Sequence, residues 1–178
     1  MSRLFLVRHA AVATQGRYWG ATDLPLSRVG LAQLPALARA FADVQPGVVY
    51  ASDLLRARET AAAISEDMEL DTRLREIDFG LCEGLTFDEI ASRWPDVAQS
   101  LVSDPTSFAA PGGESFEELS ARVNEFVTER LAGIAGDIAV VAHRGSIALI
   151  AAAVLERRPC ETLEWQIEPS AINVLELD

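Results

Sequence analysis

This 178-residue chain has only two histidines, and each stands beside an arginine: Arg8-His9 near one end and His143-Arg144 near the other. Such a pair joins a nitrogen base to a permanent cation, and the planar fork of arginine binds phosphate or carboxylate. A third cation, Arg56, follows Ser52-Asp53-Leu54-Leu55 and falls in the first turn of an expected helix, where the positive end of the dipole attracts anions. Arg58, two positions on, lies about 200° around that helix and cannot serve the same site. One histidine at a strand end is more often structural than chemical. Two of them, each with an arginine, point to a site that handles an anion. A metal centre would need more histidines or a carboxylate at ligand spacing, so neither a metal nor another cofactor is expected.

The elements that must position these residues follow from the pattern. Leu4-Phe5-Leu6-Val7 and Ile138-Ala139-Val140-Val141-Ala142 are unbroken apolar runs, the signature of strands buried on both faces. Each run ends at its histidine, and in open α/β sheets ligands bind at the carboxyl ends of strands. Residues 10–25 read as a long loop with Gly16 and Gly20, and Tyr18 and Trp19 argue against its being disordered. Ser27 caps a helix of about 14 residues bearing Leu31, Leu34, Leu37, Ala38 and Phe41, and Val48-Val49-Tyr50-Ala51 is a second buried strand, which completes a βαβ unit.

Leu54, Ala57, Ala61 and Ile64 form the apolar stripe of the helix opened by Ser52-Asp53. Residues 74–80 alternate polar and apolar, which sets Glu76 and Asp78 on one face, by default a solvated acidic one. Residues 86–94 read as a short helix ended by Pro95, and residues 105–113 as a proline-glycine loop. Ser115 and Glu118 form a capping box for a long helix with Phe116, Leu119, Val123, Phe126 and Val127. An apolar helix follows His143, and residues 172–177 close as a strand.

Length and composition suit one globular domain spanning 1–178, 49% hydrophobic and 24% charged. The net charge of −12 argues against nucleic acid or an anionic membrane as partner. No apolar run approaches the ~18 residues of a membrane span, and no apolar leader precedes the first strand, so a cytoplasmic protein is expected. Cys82 and Cys160 read as two ordinary thiols. All 15 basic residues are arginine, which reads as coding bias, so their positions carry the information and their number does not. Nothing in the sequence sets an oligomeric state.

Arg8-His9, Asp23-Leu24-Pro25-Leu26-Ser27, Ser52-Asp53-Leu54-Leu55-Arg56-Ala57, the stretch from Leu74 to Gly80 with Glu83-Gly84, Gly112-Gly113-Glu114-Ser115 and Val140-Val141-Ala142-His143 together resemble the histidine phosphatase superfamily, the phosphoglycerate mutase-like group. The blocks occur in the family's order over nearly the whole chain. The resemblance implies a three-layer α/β/α sandwich with a mainly parallel central sheet, and a phosphohistidine mechanism on a small phosphorylated substrate. It makes His9 the nucleophile, Arg8 and Arg56 the phosphate clamp, His143 the second pocket histidine and Glu76 the acid that protonates the leaving oxygen. The chemistry is consistent: a phosphomonoester carries about two negative charges at pH 7, so its attacker must be neutral and its pocket cationic.

Ala10-Ala11-Val12 replace the family's usual Gly-Glu-Thr, and Arg144 stands where glycine is common. The first change adds a methyl where backbone approaches phosphate; both bear on affinity and substrate preference more than on reaction type. The Arg-His-Ala start with Gly16-Arg17-Tyr18-Trp19-Gly20 most resembles the α-ribazole phosphatases of the superfamily, which would put Arg17 on phosphate and the aromatic pair at the substrate mouth. A lid-like insertion at about 83–114 is short for a mutase, so hydrolysis, as by a histidine acid-type phosphatase, is expected over phosphoglycerate mutase-type transfer. A non-catalytic phosphate-binding module on the same fold is the remaining alternative.

Overall fold

The computed structural model describes residues 2–14, 16–133, 135–165 and 167–177; Gln15, inside the loop expected over 10–25, lies outside them. Five strands form one sheet: β1 (Ser2–Arg8), β2 (Val48–Ala51), β3 (Glu69–Leu70), β4 (Ile138–Ala142) and β5 (Ile172–Leu177), in the order β3-β2-β4-β1-β5. All neighbours are parallel except β5, which runs antiparallel to β1. The helices are α1 (Arg28–Phe41), α2 (Leu55–Ala61), α3 (Phe87–Arg93), α4 (Pro95–Ser103), α5 (Phe116–Phe126), α6 (Arg144–Val154) and α7 (Pro159–Leu163).

The period of two along each strand divides the core into layers. Phe5, Val7, Val49, Ala51, Ala139 and Val141 face Leu37 and Phe41 of α1 and Ala57 and Ala61 of α2. Leu4, Leu6, Val140 and Ala142 face Leu119, Val123 and Phe126 of α5 and Ile147 and Ile150 of α6. The chain is thus a three-layer α/β/α sandwich. Every residue of β4 is buried, and at ~1.5–3 kcal/mol for each large apolar side chain this central strand anchors the sheet. A third, small cluster of Cys82, Ile90 and Ala98 lies under α3 and α4.

Register does the positioning. Leu4 pairs with Ile138 and Arg8 with Ala142, so the residues that follow, His9 and His143, leave the sheet side by side. Ala51 pairs with Val141, which brings Ser52 to the same edge. The bonds continue one step past the strands, from His9 N–H to Ala142 O (3.0 Å) and from Ser52 N–H to Val141 O (3.0 Å).

Several elements differ from the sequence pattern. Pro95 does not only end a helix: it occupies the first turn of α4, where its missing N–H has no partner to lose. Residues 74–80 join no sheet; they run between two 3₁₀ turns, Thr72–Leu74 and Gly80–Cys82. α2 is capped at Leu54 and has seven residues, so Ile64 falls in the turn beyond it. Leu31 is exposed, which narrows the buried stripe of α1 to Gly30, Leu37 and Phe41. The long helix from Ser115 passes into a π-helical turn at Val127–Leu131. The caps by Ser27 and Ser115 form as expected. Among the described residues no helix is long and apolar enough to cross a membrane.

Candidate active site

At the carboxyl edge of the sheet lies a polar cleft of about 310 Å³, lined by Arg8, His9, Arg17, Trp19, Arg56 and Glu76 among others. His9 is 8% exposed, and its Nδ1 lies 2.8 Å from the carbonyl oxygen of Ala10. A carbonyl only accepts, so Nδ1 carries the proton and Nε2 keeps the lone pair. Burial pushes the imidazole pKa down to about 3, helped by the positive charges of Arg56 and Arg8. His9 is therefore neutral at pH 7 and its free nitrogen is a competent nucleophile.

Arg56 is 1% exposed. Its Nε–H donates to Nδ1 of His143 (3.3 Å), Nη1 to the carbonyl of Thr22 (2.8 Å) and Nη2 to that of Gly20 (2.7 Å). Arg58, on the opposite side of α2, is exposed, as the helix phase requires. Arg8 donates through Nη1 to the carbonyl of Ile167, while its buried Nε has no partner among the described residues. A buried donor left unmade costs about 1–3 kcal/mol, so this one is suited to an anion in the cleft. Burial lowers both guanidinium pKa values from the ordinary range and Glu76 opposes the shift; arginine keeps its proton regardless.

His143 is fully buried, one layer behind the residues that line the cleft. Its ring lies 5.0 Å from that of His9, centroid to centroid. Because Nδ1 accepts from Arg56, Nε2 holds the proton and donates to Oγ of Ser52 (2.9 Å). Both nitrogens are thereby engaged. Desolvation first, then His9 and the surrounding arginines, hold its pKa well below the ordinary 6.5.

Glu76 lies at the junction of this cleft with a second, more apolar cavity of about 390 Å³ lined by Tyr18, Phe79, Leu101, Phe108, Phe116 and Leu163, with Arg17 and Arg144 at its polar side. Its carboxylate accepts from the N–H groups of Gly145 (3.2 Å) and Ile77 (3.2 Å). A Cβ on Gly145 would stand 2.4 Å from Glu76 Oε1, so the glycine after Arg144 makes room for the acid. Arg122 of α5 splints the segment: it donates to the carbonyls of Arg73, Arg75 and Glu76 and forms a two-pronged pair with Glu114.

Arg17 lines both cavities but is anchored to the segment after the second 3₁₀ turn, donating to Gly84 O (2.6 Å) and Glu89 (3.0 Å). Tyr18 meets Phe79 edge-on at 5.1 Å, and Trp19 lies against Gly84, so both aromatics pack the loop as well as line the second cavity. Ala10 is fully buried with its N–H on Thr60 Oγ1 (2.9 Å). Its methyl is turned away from the residues that line the cleft. Thr60, Glu83, Arg122 and Gln33, whose Oε1 accepts from the N–H of Ala11 (2.9 Å), were not legible as site residues; Glu83 and Glu114, the partner of Arg122, stand in stretches that resemble the family, without a role assigned to them. No group of three or more metal-ligating side chains occurs among the described residues.

A neutral histidine at a parallel-sheet edge shares one cleft with two arginines and a glutamate, an arrangement suited to an anion. The sequence comparison agrees: residues 4–178 match the histidine phosphatase superfamily (branch 1), and the chain belongs to it. It is 34% identical over 153 residues to a candidate phosphoserine phosphatase 2 of Hydrogenobacter thermophilus, covering 83% of this chain and 75% of the relative. It is 35% identical over 167 residues to the glucosyl-3-phosphoglycerate phosphatase of Mycolicibacterium vanbaalenii, covering 86% and 74%. A solved candidate alpha-ribazole-5'-P phosphatase from Escherichia coli shares the fold, with a TM-score of 0.87 at 24% identity over 97% of this chain and 89% of that one. Some curated mycobacterial relatives are longer, and the chain spans about half of their length.

Proposed function

We propose that the chain hydrolyses small phosphomonoesters through a phosphohistidine on His9. The observation that carries this reading is the neutral, proton-assigned His9 in one cleft with Arg8, Arg56 and Glu76. Nε2 of His9 attacks phosphorus in line, Arg8 and Arg56 hold the phosphoryl oxygens, and the P–O bond to the alcohol breaks as Glu76 gives its proton to the leaving oxygen. Glu76, now a carboxylate, takes a proton from water as the water attacks the phosphohistidine, releasing phosphate and restoring His9. Ser52 and Arg56 fix the His143 ring behind the nucleophile.

The alcohol half of the substrate belongs in the second cavity, since Glu76 lines both spaces. Phe79, Phe108 and Phe116 with Tyr18 and Trp19 favour a planar, apolar leaving group. That supports α-ribazole 5′-phosphate, the substrate suggested by the Arg-His-Ala start and the loop at residues 16–20. One observation favours a second reading: Arg144 faces the same cavity and would pair with a carboxylate, as in glucosyl-3-phosphoglycerate.

The test compares kcat/KM for both compounds with 3-phosphoglycerate and an aryl phosphate, and measures mutase turnover with 2,3-bisphosphoglycerate. Preference for α-ribazole 5′-phosphate is expected. Mutase turnover above phosphate release would overturn the reaction class, and preference for glucosyl-3-phosphoglycerate would replace the substrate. Phosphate binding without turnover on any of these compounds would favour the binding module.

A further inference from the structure

Arg56 takes its orientation from the carbonyls of Gly20 and Thr22, yet those residues lie in neither helix nor strand. Glu83, just past the 3₁₀ turn Gly80–Cys82, supplies what the loop lacks. Its Oε1 accepts from the N–H groups of Gly20 (2.9 Å), Ala21 (3.0 Å) and Phe79 (3.1 Å), and its Oε2 from the N–H (3.3 Å) and Oγ1 (2.6 Å) of Thr22. One carboxylate thus gathers five donors. Gly20 and Thr22 each give an N–H to Glu83 and a C=O to Arg56, so their orientation is fixed from both sides. Space enforces the same arrangement: a Cβ on Gly20 would stand 1.7 Å from the carbonyl oxygen of Ile77. Glu83 also contributes negative charge that offsets the burial of the Arg56 guanidinium. It lines neither the phosphate cleft nor the apolar cavity.

We infer that Glu83 is a positioning residue of the phosphate clamp: acting through residues 20–22, it sets the plane of the Arg56 guanidinium relative to His9 and thereby governs affinity for the phosphoryl group. The inference rests on the reading of Arg56 as clamp. It separates Glu83 from Glu76, which meets the substrate's leaving oxygen, although both carboxylates come from one short stretch of chain.

The experiment is a double-mutant cycle. The inhibition constant of inorganic phosphate and kcat/KM for an aryl phosphate are measured in the wild type, Glu83→Gln, Arg56→Ala and the double variant, with thermal midpoints alongside. The glutamine carbonyl can keep the three donors now on Oε1 but turns an NH₂ group toward Thr22, so it disturbs the half of the cradle that holds Nη1 of Arg56. Glu83→Gln is expected to weaken phosphate inhibition and kcat/KM by about tenfold, and to add nothing in the Arg56→Ala background. A full tenfold loss persisting in that background would mean that Glu83 acts on general stability, and would overturn the inference. Wild-type phosphate affinity in Arg56→Ala would instead remove the clamp itself, a failure recognisable from the single variant. Should Glu83→Gln fold poorly, Thr22→Val removes only the hydroxyl donor; a loss of about two- to tenfold that vanishes in Arg56→Ala supports the inference, and an unchanged phosphate constant overturns it.

Discussion

The two ends of the substrate space are built by different means. At the phosphate end, His9, His143 and Ser52 leave three adjacent strands in register and Arg56 hangs from the helix after one of them; these groups are buried and the roles of their nitrogens follow from their partners. At the proposed alcohol end, Phe79, Leu101, Phe108, Phe116 and Leu163 come from two irregular segments and three different helices, and several are only partly buried. On the proposed reading, reaction chemistry sits where the sheet leaves little freedom. Substrate choice then sits where segments can vary without disturbing the sheet.

This contrast can be broken by substitution. His9→Ala should lower turnover by at least about a hundredfold while unfolding remains cooperative in thermal melts, since what is lost is the proposed nucleophile and the apolar layers of the sheet are untouched. A variant retaining more than about a hundredth of wild-type turnover would place the nucleophile elsewhere.

Arg56→Ala should cost about 1.5–3 kcal/mol of phosphate binding, roughly 10- to 150-fold in the inhibition constant of phosphate. Arg58→Ala, on the exposed side of α2, should stay within about twofold of wild type. Equal losses in the two variants would remove the helix-phase argument.

Proton NMR sharpens the comparison further, because the chain contains only two imidazoles. Both have pKa values pushed down by burial, His9 to about 3, so neither should titrate between pH 5 and 8. The unfolded chain, with ordinary histidine pKa near 6.5, binds the extra protons; stability therefore rises with pH between about 3 and 6.5, and is lost as pH falls through that window. A histidine resonance with a midpoint near 6.5 would contradict the buried cradle.

The smallest effect belongs to the alcohol end. Phe79→Leu should lower kcat/KM for a substrate with a planar leaving group by about two- to tenfold and leave the phosphate inhibition constant unchanged. Equal losses in both measurements would mean that the two ends are one site.

The same division governs what the sequence could disclose. The strand β4, the strand-end histidines, the caps at Ser27 and Ser115 and the inward phase of Arg56 all rest on short-range rules of period, capping and register. The cradle of Glu83 and the splint of Arg122 are side-chain bonds to backbone groups up to 63 residues away, which leave no periodic trace. The apolar cavity was hidden for a related reason: its aromatic residues are isolated in separate segments. His143 was legible as a strand-end residue but not as one facing Arg56 and Ser52, because the chain pattern fixes where a side chain starts and not which partners claim its nitrogens.

The central claim is covalent catalysis by His9, and the most direct measurement is a rapid acid-free quench of the protein during turnover of a phosphomonoester, followed by mass spectrometry of its histidine-containing peptides. The account predicts one added phosphoryl group on the peptide containing His9, stable to base and lost in acid, none on the peptide containing His143, and no adduct in His9→Ala. A phosphoryl group on His143, or steady phosphate release with no phosphorylated peptide at any quench time, would contradict it.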